Sequence, residues 1–188
     1  MSTASPASSP SLSPTNACIN ELKTRARLGL NAIEAGDSHL LERAAKVSGV
    51  RMATPDSWKL RHAFTLVARS VGFRTWDQAR IALGGQAQVG DDMGTFWHAP
   101  RCLGILNHWF AHYGDARDAL GKMPGHALVP YRRQFIVVNQ AYLHELGLGE
   151  AMADHVNEPL DLVALYGSAR WQALCWSRLR ADESTWFR

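Results

Sequence analysis

Apolar residues recur at helical spacing along most of the chain. Ile19, Leu22, Ala26, Leu30 and Ile33 fall at steps of three and four, the stripe by which a helix buries one face. Gly36 follows where a left-handed C-cap ends such a helix. Asp37 and Ser38 offer an N-cap for "HLLERAAKV", a short helix that buries Leu40, Leu41 and Ala44 and stops at Gly49. "TPDSWKLRHAFTLVARSVG" puts Thr54 at a cap, Pro55 at the first helical position and Gly72 at the end, with Leu60, Ala63, Phe64, Val67 and Val71 on one stripe. Lys59, Arg61, His62, Thr65 and Arg69 take its solvated side. "TWDQ" then reads as a Thr-x-x-Gln capping box opening a helix from Trp76 to about Leu83.

Residues 84–95, "GGQAQVGDDMGT", are Gly-rich, polar and aperiodic, the composition of a linker. Beyond them, "APRCLGILNHWFAHYG" sets Cys102, Leu106, Trp109, Phe110 and Tyr113 at helical spacing, and Asp115 offers a cap for "ARDALG". Phe135 to Val138 are strand-like in composition, but Tyr131, Phe135, Val138, Tyr142 and Leu146 keep helical spacing after Pro130, which favours a helix. Ser168 caps a terminal helix, "ARWQALCWSRLRA". The pattern predicts a mainly α fold. Its parts are a disordered tail over 1–16, a helical bundle over 17–83, the linker over 84–95 and an aromatic-rich, mainly helical domain over 96–188.

Composition changes this picture little. Apolar residues make up 46%, enough for a core, and no apolar run approaches the ~20 residues of a membrane span. The 20 Lys and Arg against 17 Asp and Glu leave a net charge of +3, too little to announce nucleic acid. Arginines outnumber lysines heavily, a bias that could serve planar phosphate recognition but more often reflects GC-rich coding. Cys18, Cys102 and Cys175 are odd in number and widely spaced, so neither a disulfide framework nor a zinc ribbon is encoded. With no charged start or apolar middle in "MSTASPASSPSLSPTN", a secretory signal is not expected, and a cytoplasmic location is.

"LVARSVGFRTWDQARIAL", residues 66–83, carries Val67, Ala68, Val71, Gly72 and Phe73 at the small-residue and turn positions of a helix-turn-helix, and resembles that family over about twenty residues. The motif would need position 78 to point inward, and Gln78 stands there. Trp76, Ala79 and Leu83 share a face about 140° from Ile81 at 100° per residue. That stripe buries the surface that would read bases. A second resemblance covers "LKTRARLGLNAIEAG" at 22–36 and "LRHAFTLVARSVGFRTWDQARIALGG" at 60–85. Through Leu22, Lys23, Ala26, Ala68, Arg69, Gly72, Phe73 and Trp76 these segments resemble a small helical region of bacterial glyoxalase-superfamily-related proteins. The resemblance implies that Gly72, Phe73 and Trp76 form a structural corner, and it brings no metal ligand, since nothing after residue 86 resembles a glyoxalase barrel.

Chemistry is sparse. His108 and His112, four apart on the expected helix, could share a metal, but position 109 is Trp rather than the Glu of a metalloprotease and no third ligand is evident. His98, four before Cys102, reads as a loop residue. No phosphate loop, nucleophile elbow or dinucleotide fingerprint is present, and His144 with Glu145, or Glu150 with Asp154, make poor acid–base pairs. Tyr131, Arg132 and Arg133 in "PYRRQF" could grip a carboxylate or phosphate on a partner. The expectation is a non-catalytic protein that binds a macromolecule, with no metal, cofactor or membrane. A protein partner is favoured, and the alternative is nucleic acid held by Arg69, Arg74, Thr75 and Arg80 on the 55–83 hairpin. A metal-dependent enzyme comes third.

Overall fold

The computed structural model describes residues 17–48, 57–150 and 159–181. Helix α1 (Ala17–Glu34) buries Cys18, Ile19, Leu22, Ala26 and Ile33 on the expected stripe. Helix α2 (Ser38–Ser48) begins where the Asp37 carboxylate accepts the Leu40 N–H at 3.0 Å. Helix α3 spans Leu60–Ser70; the expected start at Thr54 and Pro55 lies outside the described residues. Helix α4 (Trp76–Leu83) opens on Thr75, whose hydroxyl accepts the Gln78 N–H at 3.1 Å. The Gln78 side chain accepts the Arg74 N–H rather than that of Thr75, a displaced version of the capping box. Ala79, Ala82 and Leu83 are buried, Trp76 stacks on Phe64 with ring centroids 4.6 Å apart, and Ile81 is exposed.

The second half overturns the mainly α expectation. Strands β1 (His108–Phe110), β2 (Ala127–Tyr131), β3 (Gln134–Val138) and β4 (Leu160–Asp161) form a mixed sheet in the order β1-β3-β2-β4. The β1–β3 and β3–β2 pairs are antiparallel and β4 runs parallel to β2. Helices α5 (Tyr113–Leu120), α6 (Gln140–Glu145) and α7 (Ala169–Ala181) complete it. Residues 131–146, expected as one helix, are the end of a hairpin followed by α6. The physical reason is double coverage. Ala127, Val129, Ile136 and Val138 face the large core shared with the helices, whereas Leu128, Phe135 and Val137 face Ala116 and Leu120 of α5. A strand buried on both faces loses its period-two alternation, and the helical spacing of its aromatics was coincidental.

The helix expected after Ala99 is also absent. A single 3₁₀ turn, Pro100–Cys102, leads through a loop into β1. Asp115 does not cap α5, which starts two residues earlier, after His112. The terminal helix fits the expectation, its Trp171 N–H donating to the Ser168 hydroxyl at 3.1 Å.

One buried cluster runs through both halves of the chain. Helix α1 packs on α7, where the buried Arg25 donates to the Leu179 carbonyl at 3.0 Å and to Glu21 at 2.8 Å. The Gln172 amide donates to the Leu83 carbonyl at 3.1 Å. Residues 84–95 contain no helix or strand. There the Tyr166 hydroxyl accepts the Ala87 N–H and donates to the Ala82 carbonyl, both at 2.8 Å. No described helix is long and apolar enough to cross a membrane.

Candidate functional site

The site is assembled around the corner between α3 and α4. Gly72 sits at φ +95°, a left-handed conformation that costs any residue with a Cβ. Its carbonyl accepts both the Thr95 N–H, at 2.8 Å, and the Thr95 hydroxyl, at 3.2 Å. A Cβ on Gly72 would lie 2.7 Å from Thr95 Oγ1 and 2.8 Å from the Thr95 carbonyl carbon. Both the conformation and the close approach therefore require glycine here. The neighbouring Gly94 is bound in turn to the β2–β3 hairpin. Arg132 N–H donates to the Gly94 carbonyl at 2.7 Å, and Met93 N–H donates to the Arg132 carbonyl at 2.9 Å. Tyr131 pairs with Gln134, so Arg132 and Arg133 alone form the hairpin loop, with Arg132 at φ +50°.

These backbone links bring together arginines that are distant in sequence. Arg69, Arg74 and Arg132 line one depression of about 460 Å³ with Gly72, Asp92 and Thr95. A second, of about 470 Å³, shares Arg69, Gly72 and Thr95 and adds His98, Arg101 and Arg178. The two adjoin at Arg69, Gly72 and Thr95, and five arginines line them between them; together they are termed the groove. Asp92 is the carboxylate in its wall, and it accepts the Gly94 N–H at 2.9 Å. Arg178, 5% exposed, donates to the Phe96 carbonyl at 3.2 Å. Arg101 pairs with Glu145 at 3.4 Å.

His98 stands at the aromatic end of the groove. Its Nδ1 lies 2.8 Å from the Tyr142 hydroxyl, which donates its proton to the Trp97 carbonyl at 2.9 Å. A phenol has one proton to give, so His98 Nδ1 must be the donor in that pair, and the neutral ring carries its lone pair on Nε2. Burial pushes the His98 imidazolium below its ordinary range and the Tyr142 phenol above its own, which keeps both neutral. The His98 ring packs edge-on to Tyr131, 5.3 Å away, and Trp109 stands 5.0 Å from Tyr131. The Arg132 guanidinium lies 5.4 Å from the Tyr131 ring, within cation–π reach. Trp109 is 48% exposed, leaving an aromatic surface open beside the arginines.

The residues singled out in the sequence thus fall into separate places. Arg69 and Arg74 meet Arg132, although the sequence suggested two unrelated sites. Thr75 is exposed but its hydroxyl serves as the α4 cap. Arg80 lies outside the groove, 3.7 Å from Asp77 and 3.5 Å from Gln86. Arg133 lines a different cavity. His108 and His112 do not share a helix, because one is in β1 and the other precedes α5. Among the described residues no cluster of three or more His, Cys, Asp or Glu is placed to hold a metal. Arg101 and Arg178 were missed, and His98 was set aside as a loop residue. Arg178 did carry a signal, since it continues the Trp171, Leu174, Cys175 stripe where a solvated arginine would not stand. Compared with protein-family models, with curated proteins and with solved structures, the chain finds no match.

Proposed function

We propose that this protein binds single-stranded nucleic acid in the arginine groove. The observation that carries the reading is the convergence of Arg69, Arg74 and Arg132 on one depression, continuous with a second that adds Arg101 and Arg178. Binding of single strands without sequence preference combines a cationic groove along the backbone with aromatic faces on which bases stack. Trp109 and Tyr131 offer such faces beside Arg132. The net charge of +3 does not oppose this reading, because the field at a groove is set by the charges nearest it.

The test is a titration of a fluorescent single-stranded oligonucleotide at about 50 mM and about 200 mM salt, where counterion release weakens binding by roughly 0.7 log unit of slope per phosphate contact. Arg69→Ala, Arg74→Ala and Arg132→Gly should each weaken binding and shallow that slope, whereas Arg80→Ala should leave both unchanged. Salt-independent binding, or equal effects from Arg80→Ala, would sink the proposal.

A specific observation favours a second reading, a protein partner. Leu103 and Leu106, in the loop before β1, and Trp109, within it, are 75%, 83% and 48% exposed, and β1 is an edge of the described sheet. An extended segment of another protein could add a strand there and cover those side chains. Leu106→Glu would abolish that association and leave oligonucleotide binding intact.

A further inference from the structure

A cavity of about 400 Å³ opens on the other side of the hairpin loop. Its volume falls in the range of small-molecule sites, and its wall is apolar over most of its extent, formed by Met93, Pro130, Phe135, Val163 and the Tyr166 ring. The Tyr166 hydroxyl is occupied by Ala87 and Ala82, so this residue presents carbon to the cavity. Val89, 65% exposed, stands in the loop that closes one side. Such a concave apolar surface left open to water is unfavourable unless something fills it.

The polar residues of the lining are Gln88, Asp91, Arg132, Arg133 and Gln134. Arg132 and Arg133 both line the cavity. Arg132 holds φ +50°, which Gly, Asn or Asp adopts at less cost in a two-residue hairpin loop. Its backbone is fixed by the bonds to Met93 and Gly94, so the loop presents its side chains from a set position. Residues kept in unfavoured backbone conformations cluster at ligand sites. The carboxylate of the lining, Asp91, accepts the Gln88 N–H at 2.8 Å and shapes the facing loop.

We infer that this cavity binds a small amphiphile, an apolar body of medium-chain fatty-acid size with one anionic carboxylate head gripped by Arg133 and Arg132. The apolar wall excludes a free phosphate or a sugar phosphate, whose surface is polar throughout. The two arginines exclude a neutral or cationic head, since guanidinium pairs with carboxylate through two parallel N–H donors. The site shares Arg132 with the arginine groove, but Arg69 and Arg74 do not line it, so Arg133 on one side and the Arg69 and Arg74 pair on the other report the two readings separately.

The experiment uses the full chain and anilinonaphthalene sulfonate as an anionic apolar reporter, displaced in turn by decanoate, decanol and decyltrimethylammonium. Decanoate should compete at one equivalent, decanol at least about tenfold less well, and the cation not at all. Arg133→Ala should weaken decanoate by about tenfold while leaving the affinity for decanol unchanged. Val163→Trp should block the reporter, and Val89→Glu, at an exposed position that folding does not depend on, should repel the head should the tryptophan variant fail to fold. An Arg69→Ala, Arg74→Ala double variant should keep full decanoate affinity even if it loses oligonucleotide binding. Equal competition by decanoate and decanol, unchanged affinity in Arg133→Ala, or reporter binding untouched by Val89→Glu would each overturn the proposal.

Discussion

Replacing Gly72 with alanine tests the joint on which the groove depends, and its cost has a backbone part and a steric part. The backbone contribution is the left-handed conformation at φ +95°, roughly 1–2 kcal/mol for a residue with a Cβ. The steric contribution arises because the new Cβ would meet the Thr95 carbonyl carbon at 2.8 Å and the Phe96 nitrogen at 2.9 Å. Those atoms are backbone and cannot swing aside, so the overpacking cost is roughly 1–3 kcal/mol. Gly36 supplies the control, for it has φ +87° and nothing within 4 Å of its would-be Cβ. Gly36→Ala carries the backbone contribution alone. Both variants lose the same unfolded-state entropy, so subtracting them leaves the steric contribution, about 1–3 kcal/mol. Urea denaturation reads the difference as a shift in midpoint at unchanged slope. Under native conditions Gly72→Ala should also weaken oligonucleotide binding, because Arg69 and Arg74 are aligned with Arg132 through Thr95 and Gly94. Equal midpoints for the two variants would mean that the corner is not seated on Thr95, and the groove would lose its foundation.

Three further outcomes follow from burial and titration. Trp171, with 0% exposure, should cost about 3–5 kcal/mol as Trp171→Ala, and Trp76→Ala, where one face of the ring stacks on Phe64 and the residue is only partly buried, should cost less in the same urea assay. The His98 imidazole is held neutral by burial, below its usual 6.5. The unfolded chain therefore binds the proton first and stability falls as pH drops below about 6.5, a loss that His98→Asn should reduce in acid denaturation curves. Tyr113 is pushed up to about 12 by burial and by donating to the Asp161 carboxylate at 2.7 Å. Because the folded phenol holds its proton longer, its contribution is intact below pH 10 and is lost as pH climbs toward about 12. Tyrosinate absorbance should lose a phenol titrating at about 12 in Tyr113→Phe, while the Tyr142 and Tyr166 phenols, which burial also raises, still titrate late.

The first half of the chain was legible because each of its helices is covered on one side. An amphipathic stripe such as Ile19, Leu22, Ala26 and Ile33 records both the period and the buried face, and local caps such as Asp37 and Thr75 mark the starts. The sheet was not legible for the opposite reason. "ALVPY" and "FIVV" lie between the helical core and α5, so both faces are apolar and no alternation remains to distinguish strand from helix. Leu106, in the loop before β1, and Trp109, within it, stand on the expected stripe but are exposed, and spacing alone cannot separate a core from a surface patch. Half of the candidate site was visible as Arg69, Arg74 and Arg132. Their meeting was not, because it depends on Gly72 contacting Thr95 and on Gly94 contacting Arg132, contacts between segments 23 and 38 residues apart.

The same contacts bear on what kind of nucleic acid the protein would take. A helix that reads duplex DNA places the residues of its first turns against base edges, with phosphates on either side. In α4 those positions are Trp76, which packs on Phe64, Asp77, whose carboxylate is 79% exposed, and Gln78, whose side chain is bonded to Arg74 and Asp92. An exposed carboxylate at the leading end of the helix would repel the phosphate backbone, and Arg80 is already drawn toward it. The corner has no open turn to sit astride a duplex, because Gly72 is covered by Thr95. A single strand needs none of this. It needs a row of cations deep enough to follow and an aromatic surface for unpaired bases, and the groove from Arg101 to Arg74, with Trp109 and Tyr131 beside it, offers both.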